Sequence, residues 1–309
     1  MNYLVALTAL GGRDALGLGR MLARTGDVTL TVCVVVPQTW DYPSPARVDA
    51  EYAAFLKQYA EDAIAEAREF LGDEVRAEYT STSASSASEG LIAMATETGA
   101  AIIALGSARH GPLGRFTVGG IANEMLHVSP VPVALAPRGY RPSSDTRLRR
   151  VTCAFSGSTL SQSAFDAAVQ LSSRHGVPLR LATFVVRDRQ MYPSQVGYDA
   201  ERLVAEQWRT QAAEAQEKAL ATLPDGVAVE AGIIEGRDWE EALDSLPWEE
   251  GEVLVVGSSR LGPIARVFLG SNSTKIVRSS PVPVLVIPRS ADVRLQDSAP
   301  AARGFEREQ

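Results

Sequence analysis

The strongest constraint on this chain is that it repeats itself. "SPVPVALAPRG" from Ser129 returns as "SPVPVLVIPRS" from Ser280, and "GSARHGPLGRFTVGG" from Gly106 returns as "GSSRLGPIARVFLGS" from Gly257, each pair 151 residues apart. Two segments recurring at one spacing mark a tandem duplication, and a period of this size is a domain rather than a solenoid unit. The 309 residues divide into a first copy over 1–142, a second over 149–289, and a tail over 290–309 that loses periodicity and is expected to be disordered. Between the copies, "RGYRPSSDTRLRR" (138–150) sets proline and serine among charges and reads as a linker.

Within each copy, strand-sized apolar runs alternate with helical spacing. Copy one predicts strands at Tyr3–Thr8, Val28–Pro37, Val75–Thr80, Ala101–Leu105 and Val131–Ala136, and helices at Asp14–Thr25, Ala50–Leu71, Ser85–Thr98 and Gly120–His127. In the long helix, Tyr52, Phe55, Leu56, Tyr59, Ala63, Ala67 and Phe70 form the apolar stripe. Copy two predicts strands at Val151–Phe155, Pro178–Val186, Val227–Ile234, Val253–Val256 and Val282–Ile287. Its helices are Ala200–Leu223, Trp239–Leu246 and one opening at Gly270. Such alternation implies an α/β fold: two tandem doubly wound, five-stranded parallel sheets with helices on both faces. Both final segments begin Pro-Val-Pro-Val, which suits sheet edges because proline donates no ladder bond. If those edges are open, the copies can pair through them as an intramolecular pseudo-dimer. Further homodimerisation is left open.

Charge narrows the partners. Thirty Lys and Arg against 37 Asp and Glu give a net −7, leaving no basic surplus to displace counterions from nucleic acid. The longest apolar runs, Leu30–Val36 and Val253–Gly257, are strand-sized, so no membrane span is expected. No basic region precedes the first apolar stretch, and a cytoplasmic protein is the expectation. Cys33 and Cys153 sit in apolar runs and read as buried small hydrophobes, with reactive thiols the alternative. His110 reads as a solvated loop residue. His127 and His175 lie near helix ends, where a favourable dipole interaction accounts for them.

Ligands of such sheets bind beyond the carboxyl ends of the strands. There copy two runs from its fourth strand into Gly257, Arg260 and Gly262, and then opens a helix at Gly270-Ser271-Asn272. Glycines let backbone approach a ligand, a helix start offers unpaired N–H groups to an anion, and Ser271 adds a hydroxyl. Copy one repeats the pattern with Gly106, Arg109, Gly119 and Gly120. Arg109 and Arg260 have two readings, a solvated loop side chain or a guanidinium folded over phosphate; Arg266 shares that ambiguity.

With these residues the chain resembles a tandem universal stress protein, a family of adenine-nucleotide-binding α/β domains with the signature G-x2-G-x9-G-[S/T]. Gly257 and Gly270-Ser271 fit in copy two, and Gly106 and Gly119 fit in copy one. The resemblance implies ATP as ligand, with Mg accompanying it, and a last strand that pairs domains edge to edge. Five departures stand out: Arg109 and Arg260 replace the second glycine, Gly120 replaces the Ser/Thr, and Thr8 and Ser156 stand where ATP-binding members carry an Asp after the first strand. Copy two is therefore expected to hold the better nucleotide site.

The chain has no G-x-x-x-x-G-K-[ST] loop, no G-x-S-x-G elbow and no Cys/His spacing for zinc. "SGSTLS" (156–161) lacks the second glycine and the aspartate of an adenylating loop. No catalytic constellation is found, and the chain is expected not to be an enzyme. Two readings stay open: a stress-response protein binding an adenine nucleotide with regulatory output, and an interaction scaffold of the same family that has lost the nucleotide.

Overall fold

The computed structural model describes residues 1–7, 12–38, 48–186, 198–258 and 271–288. Copy one comprises β1 (Asn2–Leu7), α1 (Arg13–Ala23), β2 (Thr29–Pro37), α2 (Val48–Leu71), β3 (Arg76–Ala84), α3 (Ala87–Thr98), β4 (Ala100–Gly106), α4 (Gly120–Val128) and β5 (Val133–Ala136). Copy two comprises β6 (Arg150–Ala154), α5 (Thr159–His175), β7 (Leu179–Val186), α6 (Tyr198–Leu220), β8 (Val229–Gly236), α7 (Trp239–Asp244), β9 (Glu252–Gly257), α8 (Ser271–Ser279) and β10 (Val284–Ile287).

All ten strands form one sheet in the order β3-β2-β1-β4-β5-β10-β9-β6-β7-β8. Each half is parallel and doubly wound, and the halves meet where β5 and β10 run antiparallel, Leu135 opposite Val284 and Ala134 opposite Leu285. The edges expected from the Pro-Val-Pro-Val segments thus pair with each other. Pairing removes two exposed rows of N–H and C=O groups from solvent.

Both faces of the sheet are buried, which is why the strands read as continuous apolar runs. Tyr3, Val5 and Leu7 pack with α1, α2 and α5 on one face, and Leu4 and Ala6 pack with α3, α4, α7 and α8 on the other. Each cluster crosses the junction, so the copies share one core on each face. Local signals set the helix ends. Ser86 accepts from the Glu89 N–H at the start of α3. Gly99 and Gly176, at φ 61°, close α3 and α5 in the left-handed region that glycine enters without strain.

Helix α5 was given no range in the sequence expectations, which implied it only through a helix end near His175. Its serine-rich opening hides the stripe of Ala164, Phe165, Ala168 and Leu171, all buried against the sheet. Strand β3 runs past the expected Thr80 because β2 pairs with it as far as Pro37–Ala84. The linker is also less free than its composition suggests. Gly114 N donates to Arg138 O (2.8 Å), Arg138 N to Arg115 O (3.0 Å), and Glu250 accepts from Ser143 N (2.7 Å) and Thr146 Oγ1 (2.8 Å). His175 sits in the last turn of α5, at the helix end expected, and has a further contact. It lies half-buried against Gly26 of copy one, its Nδ1 3.4 Å from Thr25 O. Desolvation pushes its pKa below the ordinary histidine value, with the Thr25 carbonyl opposing. His127 sits in the last turn of α4, and His110 is exposed in its loop. The tail over 290–309 lies outside the described residues.

Candidate functional site

The carboxyl ends of the strands place the predicted residues where the sheet topology requires. In copy one, β4 ends at Gly106 and the chain returns to open α4 at Gly120. Between them the loop folds on itself: Thr117 N donates to Ser107 Oγ (2.8 Å), and Ala108 N to Thr117 O (3.0 Å). Buried Phe116 anchors the turn in the core. Gly111 is required by close approach, since a Cβ there would lie 1.8 Å from Thr117 Oγ1. Gly111→Ala should therefore spring the loop open. Limited trypsin digestion at Arg109 and Arg115 is expected to accelerate severalfold, and an unchanged rate would count against this geometry.

The loop faces a cleft of about 830 Å³ that Gly106, Arg109, Gly119 and Gly120 all line. Gly119 caps α4 with no side-chain hydrogen bond, so the first N–H groups of the helix have no capping side chain. A Cβ on Gly120 would meet nothing within 4 Å, so the space for the family's missing hydroxyl is open. Arg138 and Arg141 add positive charge at the rim, and Arg141 pairs with Asp14 beside it. Arg109 is exposed. From the same loop, Arg115 Nη2 donates to both carboxylate oxygens of Asp244 on α7 (2.8 and 3.0 Å), tying the copy-one loop to copy two.

In copy two, Gly257 ends β9, and Ser271 and Asn272 open α8. Ser273 Oγ donates to Gly257 O (2.8 Å), holding the helix start against the strand end. Ser156 follows β6 and is exposed, its hydroxyl 2.9 Å from that of Ser158. Ser156, Gly257, Ser271 and Asn272 all line a cleft of about 300 Å³. That cleft adjoins a second of about 580 Å³ between β7, α6 and α7, the two sharing Ser156, Phe184, Trp239 and Asn272. Together they form one groove. Arg260, Gly262, Arg266 and Gly270, like Thr8, lie outside the described residues.

Ser258 is a residue that motif reasoning passed over. Only 3% exposed, it lines the smaller cleft, yet among the described residues its hydroxyl has no hydrogen-bond partner. Its copy-one counterpart Ser107 accepts from Thr117 N and so closes the loop. Leaving a buried hydroxyl unsatisfied costs about 1–3 kcal/mol. Its place directly after Gly257 was the available signal.

No group of three or more His, Cys, Asp or Glu that could hold a metal ion occurs among the described residues. Both cysteines are buried, and burial pushes the Cys33 thiol up to about 11 and that of Cys153 higher still. They therefore stay protonated near neutral pH, as the small-hydrophobe reading requires.

The model of the universal stress protein family matches residues 4–137 and again 147–288. The chain belongs to that family. A universal stress protein of Mycobacterium tuberculosis is 42% identical over 280 residues, covering 90% of this chain and 96% of the relative. A solved universal stress protein from Archaeoglobus fulgidus superposes with a TM-score of 0.61 at 19% identity, covering 93% of this chain and 98% of its own, which places the whole tandem fold. A solved Arabidopsis thaliana family member described with AMP bound covers 45% of this chain and 92% of its own at 13% identity, TM-score 0.31. As a tandem universal stress protein, the molecule carries its two halves as an intramolecular pseudo-dimer. No described helix is long and apolar enough to cross a membrane.

Proposed function

We propose that this protein binds ATP or a related adenine nucleotide in the copy-two groove, and that its output in the stress response is regulatory rather than catalytic. The observation that carries the reading is the Ser258 hydroxyl, buried at the groove beside the start of α8 and without a partner among the described residues. A group kept at that cost is best understood as waiting for a phosphate or ribose oxygen. Ser271 and the N–H groups at the start of α8 supply the rest of an anion site, and any Mg would arrive with the nucleotide. Bound ligand would bias the loops after β4 and β9, and through them a protein partner reading that surface.

Ser258→Ala tests this with two readouts of opposite sign. The apo protein should melt higher, because an unsatisfied buried hydroxyl is gone, while ATP affinity falls about fivefold, the worth of one hydrogen bond. A variant that leaves ATP affinity unchanged removes the support for the site. Material purified without added nucleotide, denatured and chromatographed, should release adenine absorbance of matching mass. ATP turnover should stay at the buffer rate.

The nucleotide-free scaffold is the second reading, favoured by the exposed Ser156 where a carboxylate stands in ATP-binding members and by the bare Gly120. Release of no nucleotide, together with no ATP-dependent rise in melting temperature at millimolar concentration, decides for it.

A further inference from the structure

The groove of copy two has an end that the phosphate site does not use. Beyond Ser156 it widens into the cleft of about 580 Å³, walled by Trp208 of α6 and Trp239 of α7. Trp208 is 40% exposed, and it lines the cleft. Its helix neighbours Gln211 and Ala212, three and four residues on, line the same cleft, so this face of α6 is turned to the groove. Trp239 opens α7 and packs on Phe184 at 5.9 Å between centroids, which steadies its ring. Among the described residues copy one lacks the pair: α3 opens with Ala87, and the aromatic residue lining its cleft is Tyr59.

Among the described residues, the side chains around the tryptophans do not single out one base edge. Among the described residues lining the two clefts there is no Asp or Glu. Gln211 and Asn272 each carry both a donor and an acceptor, Thr183 Oγ1 already accepts from Gln216, and Lys275, a donor only, matches the N7 acceptor common to both purines. Stacking itself is indifferent to hydrogen-bonding pattern, since every base presents a π-face.

We infer that Trp208 and Trp239 form an aromatic slot that selects the copy-two ligand by stacking its planar ring, so that adenine and guanine nucleotides are both ligands of this site. The inference rests on the nucleotide reading above and adds the rule of selection. The slot takes the place of the missing carboxylate beside Ser156: ring area, and not one recognised edge, holds the base.

Isothermal titration of the full chain with ATP and with GTP tests it, tryptophan fluorescence being followed in parallel. The wild type should bind both within about threefold and quench on binding. Trp208→Leu, at a half-exposed position that the fold does not need, should weaken both nucleotides by about tenfold. Trp239→Leu should do the same. Ser271→Ala acts at the phosphate end and should weaken both while leaving the quench at saturation intact. ATP binding with GTP rejected a hundredfold, or ATP affinity unmoved by Trp208→Leu, overturns the slot and leaves the nucleotide site standing. Failure of both nucleotides to bind overturns the nucleotide reading and the slot with it.

Discussion

Glu252→Ala is expected to destabilise the protein by about 3–5 kcal/mol, the largest loss any single side-chain truncation should give here. Glu252 is fully buried at the start of β9. Its Oε1 accepts from Arg180 and from Thr152 Oγ1, and its Oε2 lies 3.0 Å from Arg150 Nη2 and 3.1 Å from Glu249 N. Arg180 is 5% exposed, with its guanidinium 5.0 Å above the Trp248 ring. Truncating the glutamate leaves that guanidinium without its buried counter-charge, and the cost comes from the orphaned cation more than from the lost attraction. Urea unfolding measures it. The double variant Glu252→Leu with Arg180→Met should recover part of the loss, because Arg180 is then no longer a buried cation without its counter-charge, while Arg150 keeps Glu249 and Glu230. A single variant that loses less than 1 kcal/mol would show that water reaches Arg180 and that the burial is not real.

Leu285→Ala is the second large expectation, a loss of about 2–5 kcal/mol. Leu285 is 2% exposed in β10, opposite Ala134 across the antiparallel junction and beside Val255 of β9. Its side chain packs in a cluster that includes residues of both copies, so the cavity would open where the halves share their core. Because those clusters cross the junction, the wild type should unfold in one cooperative transition, and Leu285→Ala should shift that transition as a whole. Separate transitions for the two halves in the wild type would sink the shared-core account.

The architecture was legible because duplication and alternation are properties of order along the chain. Val133–Ala136 and Val284–Ile287 declared themselves as edges through the prolines before them, and the pairing of those edges follows from their need for partners. Helix α5 was not legible. Thr159, Ser161 and Ser163 dilute its apolar stripe, and the small Ala164, Ala167 and Ala168 give little periodic signal until the sheet is there to pack on. The glycines and Ser271 of the candidate site stood out because their chemistry lies in the backbone and in one spacing. Ser258 and the two tryptophans did not stand out: apart from its place after Gly257, nothing local distinguishes a buried orphan hydroxyl from an ordinary serine, or a groove-lining Trp208 from a helix-surface one.

The order of residues alone thus determined two copies, strands and helices in alternation, the strand ends that carry the glycine loops, and the family. Which side chains meet was decided only by the folded sheet. It joins β5 to β10, sets Arg115 against Asp244, and brings residues of β6, β7, α6, α7 and α8 to one groove. Local pattern is written in neighbours along the chain, whereas a groove is made by residues far apart in sequence, whose meeting depends on the burial of the whole core.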